Sequence, residues 1–158
     1  MSTRFADMLD RKAEDIKSPP VIPIGHYLFQ VRAHPENEEV KSEKTGGLYD
    51  RRRFSVACFS AGEVDEDSLK DFGKVAGYRM RVDFWFNTDE DADNARESSL
   101  NRLKQFILAC GVEFEEGTPL KEAVAATPGT QFMGEVTHTV DPRDSERVFA
   151  EISRTYAA

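Results

Sequence analysis

Apolar and polar residues alternate with a period of two along five stretches of the chain, a pattern typical of half-buried strands. The stretches are Tyr27–Arg32, Arg52–Phe59, Arg79–Phe86, Gln131–Val140 and Arg147–Thr155. Between the third and the fourth, apolar residues recur at helical spacing. They predict a helix over Thr88–Cys110 that begins at a capping box of Thr88 and Asp91 and stops before Gly111.

Five strands with a helix between the third and fourth are the element order of a small Greek-key barrel of the OB type. We therefore predict a mainly β fold with helices, a five-stranded OB-like barrel over residues 21–158. Residues 1–20 are expected to form a helical arm outside the barrel. In this arm Phe5, Met8 and Leu9 share one helical face, which is expected to dock on its own domain or on a second subunit.

Two charged connections separate the first strands of the predicted barrel. The segment His34–Tyr49 is predicted to be a long loop between strands 1 and 2, and Gly62–Lys74 an inserted loop with about one helical turn. After the main helix, Thr118 and Pro119 predict the start of a second, short helix.

Alternation assigns the two faces of strands 2 and 3. The residues predicted to face the core are Phe54, Val56 and Cys58 in strand 2, and Met80, Val82, Phe84 and Phe86 in strand 3. The opposite faces carry Arg53, Ser55, Ala57 and Phe59 in strand 2, and Arg79, Arg81, Asp83 and Trp85 in strand 3. Basic and aromatic side chains would therefore be exposed together.

This combination is typical of single-strand nucleic-acid binding, in which arginines pair with phosphates and unpaired bases stack on aromatic rings. The candidate binding residues are Arg51, Arg52, Arg53, Phe59, Arg79, Arg81, Trp85 and Tyr27, with Phe149 as a further stacking candidate. Two structural alternatives stay open at this point. The main helix could cover Trp85, and the arginines could pair with the acidic loops.

The formal net charge of the 158 residues is −8, which by itself disfavours nucleic acid. The charge is unevenly distributed, however: residues 50–59 carry +2 and residues 79–86 carry +1, whereas residues 87–97 carry −4. Since phosphate contacts depend on local charge, the binding hypothesis survives the overall acidity.

Motifs for catalysis or metal binding are weak. The three histidines have no metal-ligand spacing, and Asp89-x-Asp91-x-Asp93 lacks the glycine and the final glutamate of a calcium loop. We predict a protein that is not an enzyme and has no metal or cofactor. Cys58 and Cys110 are predicted to be buried thiols, which fits the reducing cytoplasm. The chain has no apolar run long enough to cross a membrane and no signal-peptide pattern, so no membrane contact is expected.

Three segments resemble a known family. They are the opening Arg4–Leu9 with Pro19-Pro20 and Pro23–Tyr27, the helix segment Leu100–Gly111, and the closing Val148–Tyr156. Together they resemble small phage and prophage replication-region proteins of the OB-fold single-stranded DNA-binding type. The resemblance implies a phage protein that binds single-stranded DNA in the host cytoplasm during replication or recombination, with phage replication and recombination proteins as partners.

A second hypothesis competes with this one. The same OB-like fold could be a protein–protein interaction module that binds its partner through the N-terminal arm or an exposed strand edge, without nucleic acid. Under either hypothesis the arm is a candidate surface for self-association. An enzyme would need acids clustered in one pocket, which the sequence does not indicate.

Overall fold

The computed structural model describes residues 4–13, 20–42, 46–89 and 91–158. The elements are α1 (Phe5–Leu9), β1 (Gly25–Val31), β2 (Glu36–Lys41), β3 (Leu48–Val64), α2 (Glu66–Phe72), β4 (Arg79–Asn87), α3 (Asp93–Ala109), α4 (Leu120–Ala125), β5 (Gln131–Asp141) and β6 (Asp144–Tyr156). Within the described ranges no helix is both long and apolar enough to cross a membrane.

The six strands form one antiparallel sheet in the order β2-β3-β1-β5-β6, and β4 pairs with β3. The long strand β3 pairs with β2 through its first half, with β1 through its second half, and with β4 along its other edge. The strands β4 and β6 come within contact distance. No ladder of backbone hydrogen bonds joins them among the described residues, so the sheet is open.

A mainly β fold with helices is thus confirmed, whereas a five-stranded barrel is not. All five predicted strands are present, and β3 extends beyond its predicted bounds at both ends. The prediction of a long loop over His34–Tyr49 is wrong, because β2 lies within it. This strand was missed because its sequence, Glu-Asn-Glu-Glu-Val-Lys, has no apolar alternation. Its pairing instead places Glu36 opposite Arg53 and Glu38 opposite Arg51, and opposite charges across two strands stabilise the pair.

The predicted inward faces are confirmed by burial. In β3 the side chains of Phe54, Val56 and Cys58 are buried, and in β4 Phe84 is buried while its inward neighbours are half-buried. The strand β1, at the centre of the sheet, buries Tyr27 and two further alternating residues. Alternation therefore fixes which side chains remain on the outer surface.

The helix α3 packs on the inner face of the sheet through Phe106. The ring centroid of Phe106 lies 4.9 Å from that of Phe54, 5.1 Å from that of Phe132 and 5.5 Å from that of Phe84. These partners come from β3, β5 and β4, so one side chain joins strands that are distant in sequence. The same helix also contacts β6, so it packs against both β4 and β6.

The helix starts differ from the sequence prediction. Thr88 does not cap α3, because its hydroxyl donates to the carbonyl of Leu48 and the helix begins at Asp93. Thr118 likewise does not cap α4, whose N-cap is Pro119. The inserted loop after β3 contains the two-turn helix α2, in which the Asp65 side chain accepts from the backbone N–H of Ser68. Gly111 ends α3 with a φ of +80°, as predicted, because glycine adopts left-handed backbone without steric cost.

In the N-terminal arm, α1 buries none of its residues, and Phe5, Met8 and Leu9 are exposed. Residues 1–3 and 14–19 of the predicted arm lie outside the described residues.

Candidate nucleic-acid interface

A groove of about 990 Å³ lies between β4 and β6, where the sheet is open. The outer face of β4 with part of β3 forms one wall, and β6 forms the other. The lining side chains that matter chemically are Arg53, Arg79, Arg81, Trp85, Arg147 and Phe149. The groove thus brings together four of the eight residues predicted from sequence and adds two from the last strand.

The groove differs in charge from the rest of the molecule. Its lining includes four arginines against two carboxylates, those of Asp83 and Glu151, a net charge of +2 in a chain whose formal net charge is −8. A concave surface of one sign concentrates counter-ions of the other sign. An anionic ligand is therefore favoured here.

Trp85 is an exposed aromatic surface in this groove. Its side chain lies on the outer face of β4 and is 40% exposed. The helix α3 leaves it uncovered because that helix packs on the opposite, inner face through Phe106 and Phe84. The guanidinium carbon of Arg51 lies 5.6 Å from the centroid of the Trp85 ring, so one ring face already carries a cation.

Phe149 on β6 repeats this arrangement on the opposite wall. It is 41% exposed, and the guanidinium carbon of Arg147 lies 5.0 Å from its ring centroid. From the sequence, Phe149 is only a further stacking candidate and Arg147 is not a candidate, because the prediction depends on the basic and aromatic faces of predicted strands 2 and 3. Arg147 and Phe149 are two residues apart in the last strand, so they share one face. This spacing is the signal that could have identified both.

Three of the predicted arginines are engaged in ion pairs. Arg51 pairs with Glu38, and Arg52 pairs with Asp50 at 3.1 Å. Arg53 donates from Nε and Nη2 to the two carboxylate oxygens of Asp83, at 2.8 and 3.0 Å. These hydrogen bonds raise the pKa of Arg53 above its ordinary value.

Arg79 and Arg81 are the more available cations of β4. Arg79 is exposed and has no ion pair with a described side chain. The side chain of Arg81 is 64% exposed, and its Nε lies 3.7 Å from an Asp83 oxygen that Arg53 also contacts. Because the guanidinium of Arg81 is exposed and its contact with Asp83 is long, this ion pair contributes little. Both arginines can therefore approach phosphates at small cost.

Four predicted residues do not line the groove: Arg51, which lies over Trp85, and three others that lie elsewhere. Phe59 is 57% exposed but does not line the groove. Arg52 points to the other face of β3, where it lines a second groove of about 510 Å³ beside α3 and α4. Tyr27 is fully buried and its hydroxyl donates to the carbonyl of Pro23 at 2.7 Å. Burial raises the pKa of Tyr27 to about 12. The expectation that Tyr27 stacks on a base is therefore wrong for this conformation, because a central strand holds its ring inside the core.

The cysteines and histidines have structural environments. Cys58 and Cys110 are free and buried, as predicted. Burial raises the pKa of the Cys58 thiol to about 11 and also raises that of Cys110. His26 Nδ1 lies 2.7 Å from the hydroxyl of Tyr156, and His138 Nε2 lies 2.7 Å from the carbonyl of Ile22. In the described part of the chain, no three His, Cys, Asp or Glu residues are placed to hold a metal ion.

Comparison with known proteins adds no relative to this description. No protein-family model matches the chain, and no curated protein matches it. The residues and geometry of the groove are therefore the basis for inferring a function.

Proposed function

We propose that this protein binds single-stranded DNA, without catalysis and with little sequence preference, in the groove between β4 and β6. The observation that carries the proposal is the pair of exposed rings, Trp85 and Phe149, each with an arginine guanidinium over it. Bases stack on such rings whatever their identity, and nearby cations neutralise the phosphates. An exposed ring and a cation on both walls of one groove suit a flexible strand better than a rigid duplex.

The strand pairings support an OB-like, partly open barrel over residues 21–158. The pairs β1–β3, β3–β4, β1–β5 and β5–β6 leave only β4 and β6 to meet across the open side. On this proposal β3 and β4 are barrel strands 2 and 3, whose faces bind oligonucleotides in OB folds. The additional strand β2 then extends the connection between barrel strands 1 and 2, which is also a common ligand-contacting element.

The ion pairs of the groove arginines determine how many of these arginines are available to neutralise phosphates, and therefore how strongly binding depends on salt. Among the groove arginines, Arg79 and Arg147 have no ion pair with a described side chain, and Arg81 has only the 3.7 Å contact with Asp83. Three neutralised phosphates on a single strand give a slope of roughly −2 for the logarithm of the binding constant against the logarithm of salt concentration. We therefore propose binding that weakens with salt but relies substantially on stacking.

On the resemblance of the sequence to phage and prophage single-strand binders, we propose that this activity serves replication or recombination. On this proposal the protein acts in the host cytoplasm beside phage replication and recombination proteins, and it has no membrane contact.

The test uses Trp85, the only tryptophan of the chain. Titration of the purified protein into fluorescently labelled oligo-dT, at low and moderate salt, reports binding by label anisotropy and stacking by Trp85 emission. Saturable, salt-sensitive binding with quenched Trp85 emission supports DNA binding in the groove. Binding without a change in Trp85 emission would indicate a binding site away from β4. No binding at low salt to DNA or RNA would refute the proposed function.

One observation favours a different function. The exposed apolar face of α1, formed by Phe5, Met8 and Leu9, suits a protein partner or a second copy of the chain. If the molecule is an interaction module, replacing Phe5 and Met8 by serine abolishes partner binding or self-association. Replacing Arg79 and Arg81 by alanine then has no effect, whereas it abolishes most DNA binding under the first proposal.

A further inference from the structure

We propose that Glu38 of β2 occupies, in the free protein, the position that a DNA phosphate takes on Arg51 when the strand binds. The incoming strand would exchange this carboxylate for a phosphate, so β2 is an internal competitor for the binding surface. This inference rests on the proposed single-strand binding and extends the site from the groove to its border at β2.

The register of β2 on β3 creates the competition. Antiparallel pairing places Glu38 directly opposite Arg51, and Glu36 opposite Arg53. Residues opposite each other across two strands project to the same face, which here is the outer face that also carries Trp85. Glu36 and Glu38 therefore lie on the same face as the arginines opposite them, and Glu38 forms an ion pair with Arg51.

The environment of Arg51 suits a phosphate in place of the Glu38 carboxylate. Its side chain is only 16% exposed, whereas that of Glu38 is 58% exposed. Its guanidinium lies over Trp85, and its Nε is buried without a hydrogen-bond acceptor among the described atoms. A buried donor without a partner is rare and needs an explanation. Phosphate offers more acceptor oxygens than the single contact of Glu38 and can accept from Nε as well as from Nη2.

The exchange has a measurable ionic signature. A phosphate that binds Arg51 releases the cations condensed around the strand, but the displaced Glu38 carboxylate then attracts a cation from solution. Net ion release at this contact is therefore smaller than for a free arginine. Removal of the Glu38 charge should restore the full release, about 0.7 ion for one phosphate on a single strand.

The experiment compares Glu38→Gln with Glu39→Gln in the full chain. Both substitutions remove one negative charge from β2, but Glu39 pairs opposite Asp50 and projects to the other face of the strand. Binding of labelled oligo-dT is measured by anisotropy over a series of salt concentrations. Thermal unfolding of each variant, followed by circular dichroism, verifies that β2 and the sheet remain folded.

We expect Glu38→Gln to bind about two- to fivefold more tightly than Glu39→Gln at low salt, the gain that corresponds to loss of one partly exposed ion pair. Its salt slope should be steeper by about 0.7. If the wild-type protein binds DNA and the two variants are equal in affinity and slope, the exchange is refuted while the proposed function stands. If neither the wild type nor either variant binds at low salt, the proposed function and the exchange both fail.

Discussion

Replacement of Trp85 by alanine is the most direct test of base stacking in the groove. Each base stacked on an aromatic ring contributes about 1–3 kcal/mol by alanine substitution. Arg51 lies over the Trp85 ring and the residue is 40% exposed, so only part of the ring is open to a base. We therefore take the lower part of that range, about 1–2 kcal/mol, and expect Trp85→Ala to raise the Kd for oligo-dT by about 5- to 30-fold.

The matched variants are Phe149→Ala and Phe59→Ala. Phe149 lines the opposite wall of the groove and is exposed to nearly the same extent as Trp85, so its replacement should weaken binding by a comparable factor. Phe59 is more exposed than either but lies outside the groove. Its replacement should leave the Kd unchanged within about twofold, since no base reaches it on this account.

The assay is anisotropy of a labelled oligo-dT at fixed low salt, with a melting curve for each variant. Trp85 and Phe149 are surface residues, so their loss should leave the fold intact. Base stacking on Trp85 in the groove is refuted if Trp85→Ala binds like the wild type, or if Phe59→Ala loses as much affinity as Trp85→Ala. The second outcome would place the strand on the outer face of β3 instead.

Three further predictions concern the fold. Phe106→Ala should lower the free energy of unfolding by about 3–5 kcal/mol in urea titrations, because the ring contacts three other core phenylalanines. Phe106→Leu should lower the free energy of unfolding by less. A loss below about 1 kcal/mol for the alanine variant would contradict this packing. Gly134→Ala should lower the free energy of unfolding by about 1–3 kcal/mol, because a Cβ there would stand 2.8 Å from Cε2 of the Phe29 ring. An unchanged urea midpoint would show that the Phe29 ring moves freely. The folded-state pKa values of Cys58 and Tyr27 are raised from 9.0 to about 11 and from 10.0 to about 12. Their contribution to stability is therefore complete below about pH 9 and is lost between pH 9 and 12, with a slope of up to about 1.4 kcal/mol per pH unit for each group. Tyr27→Phe should flatten this loss between pH 10 and 12, and an equally steep loss in that variant would contradict the assignment to Tyr27.

The sequence predicted those parts of the fold in which alternation reports burial directly. In β3 and β4 one face packs on the core and the other meets solvent, so the pattern assigned Phe54 and Phe84 inward and Trp85 outward. The edge strand β2 was missed because neither of its faces is buried. Its stability depends on pairing with Arg51 and Arg53, and a register between strands is a tertiary property that no local pattern contains.

The candidate site was predicted in part for a similar reason. The basic and aromatic composition of β4 identified Arg79, Arg81 and Trp85 correctly as outer-face residues. The sequence indicated Phe149 only as a further stacking residue, and composition could not indicate that β6 forms the second wall, because this depends on how far the sheet curls. It also could not separate paired from unpaired arginines, since Asp83 lies 30 residues from Arg53 in the chain and meets it only through the β3–β4 register.

The central position of β1 has a consequence for folding kinetics. Its residues 25–30 pair on one side with β3 but on the other side with residues 131–136 of β5, about 100 residues later in the chain. A chain that emerges from the ribosome therefore carries β1 with one open edge until β5 has been synthesised. Pairing at such sequence separation is slow, and we expect refolding over milliseconds to seconds with formation of the β1–β5 ladder as a late, rate-determining event.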